Sequence, residues 1–125
     1  MFADVDYSQP DVRADVLRWG EWLGNEVKLS GMRLDAIKHY SESFLRMFIN
    51  HLDASVGRGW FFVGEYWTAE FGTLASYIAR MGGRMSLFDV QLTYNLSQAS
   101  KARRIDLRRV FDGTLAKHLP KTAVV

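Results

Sequence analysis

The sequence predicts an α/β fold of about four parallel strands alternating with helices, and three observations carry that prediction. Along all 125 residues, apolar positions switch between helical spacing and short continuous runs. The run Trp60–Val63 is apolar at every position, the pattern of a strand covered on both faces. Glycines stand where helical patterns stop: Gly57 and Gly59 after one, Gly82 and Gly83 after another. Strands separated by helices pair in parallel through right-handed crossovers, which allows either an open doubly wound sheet or part of a barrel. Periodicity leaves both open.

The elements follow in order. Pro10 belongs in a first helical turn, with Ser8 as cap and Val12, Val16, Trp19 and Leu23 at helical spacing, so a helix is predicted from about 9 to 24. After Gly24, Val27–Leu34 reads as a strand entering a buried sheet. A helix over 41–56 places Leu45, Phe48, Ile49, Leu52 and Val56 on one face. Trp60–Val63 is the second strand, ending in Gly64 and Glu65. Phe71, Leu74, Ala75 and Ile78 mark the next helix, and Ser86–Val90 the third strand. A further helical stretch includes Ile105–Phe111 and stops at Gly113, and Thr122–Val125 begins a fourth strand.

Composition narrows the function classes. With 48% apolar and 14% aromatic residues the chain can bury a core. Sixteen basic and fourteen acidic residues leave a formal charge of +2 with the signs interspersed. The densest basic stretch, Lys101, Arg103, Arg104, Arg108 and Arg109, contains no interleaved aromatics and reads as a solvated helix face, so no nucleic-acid partner is predicted. Cysteine is absent, which removes disulfides and thiol chemistry. Asp4 and Asp6 stand where a secretory signal would need basic residues, and no apolar run approaches the roughly 20 residues that span a bilayer. No membrane partner is predicted.

The residues suited to chemistry lie where strands give way to loops. Arg33 and Asp35 are two apart, so in a strand they share a face, and the guanidinium can hold the carboxylate ionised as a nucleophile. An ion pair that only seals a strand end is the alternative. Thirty residues on, Glu65 ends the next strand. Side chains at the carboxyl ends of neighbouring parallel strands converge, so Asp35 and Glu65 are expected to face each other. Two facing carboxylates suit glycoside hydrolysis. A glutamate flanked by bulky apolar and aromatic residues is expected to serve as the protonated acid.

The segments GMRLDAIKH (31–39) and FFVGEYW (61–67) resemble two signature segments of the alpha-amylase family of glycoside hydrolases, at matching spacing. The similarity continues through ADVDYSQPDV (3–12), LFDVQLTYN (87–95) and DLRRVFDGTL (106–115), as in the liquefying bacterial enzymes and their fungal intracellular relatives. The resemblance implies that residues 1–125 form part of a TIM (β/α)8 barrel, about the fourth to the start of the seventh strand. It implies endo-hydrolysis of α-1,4-glucan (starch, glycogen, maltooligosaccharides) with retention, Asp35 being nucleophile, Glu65 general acid/base, and Arg33 the residue that orients Asp35.

Lys38, His39 and Trp67 match positions that contact sugars beyond the cleaved bond; the alternative for Trp67 is a cleft wall without sugar contact, against which its aromatic face suits the apolar face of a glucose ring. Asp4 and Asp6 match carboxylates that hold calcium, with the main-chain carbonyl of His39 as a further ligand; their alternative is to be loop acids leading into a helix. Ser8 departs from the pattern, since many relatives carry an aspartate there for a second metal. The resemblance implies no protein partner. The family's third catalytic carboxylate, the aspartate of an Asn-His-Asp triplet, lies beyond Val125, so the 125-residue chain is expected to be inactive alone. A catalytically silent glucan-binding or interaction protein is the rival reading, and cytoplasmic and secreted parents remain equally open.

Overall fold

In the computed structural model, residues 5–57 and 59–125 are described. They form helices α1 (Pro10–Val27), α2 (Glu42–Ser55), α3 (Phe71–Arg80), α4 (Val90–Lys101) and α5 (Leu115–His118), and strands β1 (Gly31–Leu34), β2 (Phe61–Gly64), β3 (Ser86–Phe88) and β4 (Ala123–Val124). The strands lie side by side in chain order, β1-β2-β3-β4. Val63 pairs with Ser86 and Gly64 with Leu87; Leu87 pairs with Ala123 and Phe88 with Val124, both ladders parallel. A doubly wound sheet reverses its strand order at a switch point, whereas a (β/α)8 barrel adds each strand beside the last. The unbroken order is therefore that of a barrel wall.

The chain divides into two compact units, one comprising residues up to Met32 with Ile37–Phe61, the other Arg33–Ala36 with Phe62–Val125. In the first, α1 packs on α2. Gly24 does not stop α1, which runs on to Val27 and ends where Lys28 takes a left-handed conformation at φ 56°. The physical reason is close approach: a Cβ on Gly24 would lie 2.8 Å from the Trp60 ring, and one on Gly20 2.5 Å from the Phe48 ring. Gly20 and Gly24 form the buried face, while Trp19 is exposed. The first strand is correspondingly shorter than the predicted 27–34. Ser8 does not cap α1 either; Gln9 holds the N-cap position without a side-chain bond, and Pro10 supplies the preset φ. In α2, Ser41 Oγ accepts from Phe44 N at 3.2 Å, and Phe44, Leu45, Phe48, Ile49 and Leu52 are buried.

In the second unit, Phe62, Leu74, Tyr77, Ile78, Met85, Leu87, Leu92 and Leu115 form the core. The third strand ends at Phe88, two residues early, because Asp89 caps α4 and Val90 already belongs to that helix. The predicted helix around Ile105–Phe111 is instead an exposed loop with one 3₁₀ turn, Leu107–Arg109. So short a helix, with Ile105, Leu107 and Phe111 all in solvent, gains no packing to offset nucleation. Asn95 on α4 ties the loop down, its Nδ2 donating to the carbonyls of Val110 at 2.8 Å and Asp112 at 3.1 Å. Pro120–Thr122 forms a 3₁₀ turn, leaving Ala123–Val124 as the fourth strand. No described helix is long and apolar enough to cross a membrane.

Candidate active site

Three of the predicted site residues come together in the second unit, at the carboxyl end of the sheet. Leu34 is buried, so its neighbours Arg33 and Asp35 both project from the opposite face of the pleat. The expected pair forms: Arg33 Nη2 lies 2.9 Å from Asp35 Oδ1. Glu65 N donates to Leu34 O at 2.8 Å, extending the ladder one residue past β2 and bringing the Glu65 side chain alongside. The same Nη2 then donates to Glu65 Oε2 at 2.8 Å, and Ala36 N approaches that oxygen at 3.4 Å. One guanidinium thus bridges two carboxylates. Asp35 is the most open of the trio, its side chain 71% exposed against 24% for Glu65.

The surroundings of Glu65 are more polar than its flanking residues suggest. Its Oε2 meets a guanidinium and a backbone N–H, and Oε1 accepts no hydrogen bond from the described residues. Tyr66 packs on Tyr77, ring centroids 5.0 Å apart. Ala36 turns the chain away after Asp35 in a left-handed conformation, φ 47°, unusual for a residue with a side chain. Phe88, at the carboxyl end of β3, sets its ring 5.7 Å from the Arg33 guanidinium carbon. Neither Ala36 nor Phe88 is marked by residue type; only the strand-end position of Phe88 signals it.

Lys38 and His39 lie exposed on the 3₁₀ turn Ile37–His39 of the first unit, and Trp67, two residues after Glu65, is half-exposed. Asp4 lies outside the described residues. Asp6 shapes the turn before α1: its Oδ1 accepts from Ser8 N at 2.9 Å and its Oδ2 from Gln9 Nε2 at 3.0 Å. Hydrogen bonds from the Ser8 side chain first, then from Gln9 and the Ser8 backbone, hold the Asp6 carboxyl below the usual aspartate range. Among the described residues no three acidic, histidine or cysteine side chains cluster as a metal site. Asp6 and the His39 carbonyl are hard oxygen donors of the kind calcium takes, but they fall far short of its six to eight ligands.

Parallel strands in unbroken order, with two carboxylates sharing an arginine at their carboxyl ends, have the arrangement of the carboxyl-end face of a (β/α)8 barrel. The comparisons make this particular. The chain is 42% identical to the alpha-amylase of Bacillus licheniformis over 125 residues, 99% of this chain and 24% of that protein. It is 39% identical to the glucan 1,4-alpha-maltohexaosidase of Bacillus sp. (strain 707), with the same shares covered. With the cytoplasmic alpha-amylase of Escherichia coli (strain K12) it shares 32% identity, over 99% of this chain and 25% of that one.

Among solved structures, an Anoxybacillus alpha-amylase superposes with a TM-score of 0.82 at 20% identity, covering 98% of this chain and 26% of that one. The alpha-amylase from Geobacillus thermoleovorans, complexed with acarbose, gives 0.80 at 23%, covering 96% and 26%. No family model matches the chain. The chain belongs to the alpha-amylase family, and it spans about a quarter of the length of the curated relatives it matches.

Proposed function

We propose that residues 1–125 supply about the fourth to the start of the seventh strand of a (β/α)8 barrel that hydrolyses internal α-1,4 bonds of starch-like glucans with retention. The shared Arg33 nitrogen carries this reading. Two oxygens bonded to one atom lie no further apart than the 2.9 Å and 2.8 Å bonds laid end to end. The two carboxyl groups are thus held close together, as the about 5–5.5 Å spacing of a retaining pair requires.

In this mechanism Glu65 donates a proton through Oε1 to the leaving glycosidic oxygen while Asp35 attacks the sugar carbon and forms an ester. Glu65 then takes a proton from the water that cleaves the ester. Arg33 fixes the two carboxylates relative to each other so that they can flank the reacting bond, a positioning effect that lowers the entropic barrier. Trp67 offers an aromatic face to a glucose ring, and Lys38 and His39 are polar contacts to further sugars.

The test is a chimera in which residues 1–125 replace the aligned stretch of the Bacillus licheniformis enzyme. It should hydrolyse starch with retention. Asp35→Asn and Glu65→Gln should each lower turnover by about 10²–10⁴-fold with little change in melting temperature. Either variant keeping more than about a tenth of the activity would remove the assigned roles, and intact glucan binding with no turnover in the unaltered chimera would favour a silent binding protein.

Calcium is proposed as the complete protein's ion, with Asp4, Asp6 and the His39 carbonyl as part of its oxygen set; bound, it would tether the segment before α1 to the turn after β1. Support comes from the hard-donor chemistry of these groups. Added calcium should raise the chimera's melting temperature, and Asp6→Asn should shrink that rise. An undiminished rise in Asp6→Asn would exclude Asp6 as a ligand.

A further inference from the structure

We infer that Phe88 is a positioning residue of the same site, acting through Arg33; this rests on the proposed roles of Asp35 and Glu65. The Arg33 side chain is half-exposed, and a guanidinium on a flexible stem loses rotamer freedom when it is held in one place. Its Nη2 must nevertheless meet Asp35 and Glu65 together. The two carboxylates fix where that nitrogen goes but leave the plane of the group free to turn about it.

Phe88 supplies the missing constraint. Its ring stands 5.7 Å from the guanidinium carbon, inside the about 6 Å reach of a cation–π contact. The backbone that carries the ring is anchored: Phe88 pairs with Val124 in the sheet, Asp89 N donates to Val124 O at 2.8 Å, and the flanking Leu87 and Asp89 are buried. A fixed aromatic face beside Arg33 keeps water from one side of the guanidinium and limits its rotation. Three successive strand ends then build one device: β1 supplies the cation and nucleophile, β2 the acid/base, and β3 the surface that aims the cation.

Two measurements test this. In the ¹⁵N-labelled 125-residue chain, the ring current of Phe88 should shift the Arg33 Nε–Hε signal upfield of its random-coil position. Phe88→Leu should abolish the shift and Phe88→Tyr retain it. A random-coil Arg33 signal in the unaltered chain, or a shift that survives Phe88→Leu, overturns the inference. In the chimera, Phe88→Leu should lower kcat about tenfold with KM within about twofold, and Phe88→Tyr should restore kcat. An unchanged kcat in Phe88→Leu, or a loss that Phe88→Tyr does not rescue, also overturns it. If the unaltered chimera hydrolyses nothing, the functional reading fails, while the resonance still decides whether Phe88 aims Arg33.

Discussion

Asp35 and Asp89 occupy the same place after β1 and β3, each the first residue past its strand, yet their surroundings are opposite. Asp89 is 3% exposed, and both of its oxygens are used: Oδ1 accepts from Leu92 N at 3.1 Å, Oδ2 from Ala116 N at 2.8 Å. One carboxylate thereby serves the first turns of both α4 and α5, where N–H groups lack helical partners. Asp35 stands largely in solvent, bonded to Arg33 and followed by a left-handed alanine in place of a helix. A strand-end aspartate satisfied by backbone N–H groups is structural. One held by a half-exposed cation, with lone pairs left over, keeps its oxygens open to solvent.

The comparison breaks most visibly on stability. Asp89→Ala leaves two N–H groups unsatisfied in a buried place and should cost about 3 kcal/mol, each lost cap being worth roughly 1 kcal/mol and the desolvated donors adding to it. Asp35→Ala removes one exposed ion pair and should cost under about 1 kcal/mol. The denaturant midpoints of the two chimera variants read this directly. Equal costs would mean that Asp35 is structural after all, and the contrast between the two strand ends would collapse.

What could be read from the sequence follows the range of the interaction that decides each feature. The Arg33–Asp35 pair was legible because a strand's two-residue period puts them on one face, and Glu65 because one βα unit later restores the same strand-end position. The α4 start was missed although its signal is local: Asp89 precedes the apolar stretch containing Val90 and Leu92 as an N-cap should. Its second bond, to Ala116, lies 27 residues away and no spacing announces it. The predicted helix end at Gly24 fails because the reason for a glycine there is the Trp60 ring, which comes from the residue before β2. The role of Phe88 depends in the same way on Arg33, two strands distant.

A smaller effect sharpens the contrast at the turn itself. Ala36 holds φ 47°, where a Cβ crowds the following carbonyl at a cost of roughly 1–2 kcal/mol. Its N–H points toward Glu65 Oε2, so the strained turn is also what brings a donor to that carboxylate. Strain kept at such a place persists because the surrounding contacts enforce it. Ala36→Gly should relieve the crowding while adding unfolded-state entropy, for a net gain of about 0.5–1 kcal/mol in the chimera's denaturant midpoint. The same change frees the turn, so kcat should fall a few-fold as Asp35 and the Ala36 N–H lose their fixed relation. Higher stability with slower turnover would place the strain in the service of catalysis. A gain in stability at unchanged kcat would show that Arg33 and Phe88 alone suffice to hold the carboxylates in place.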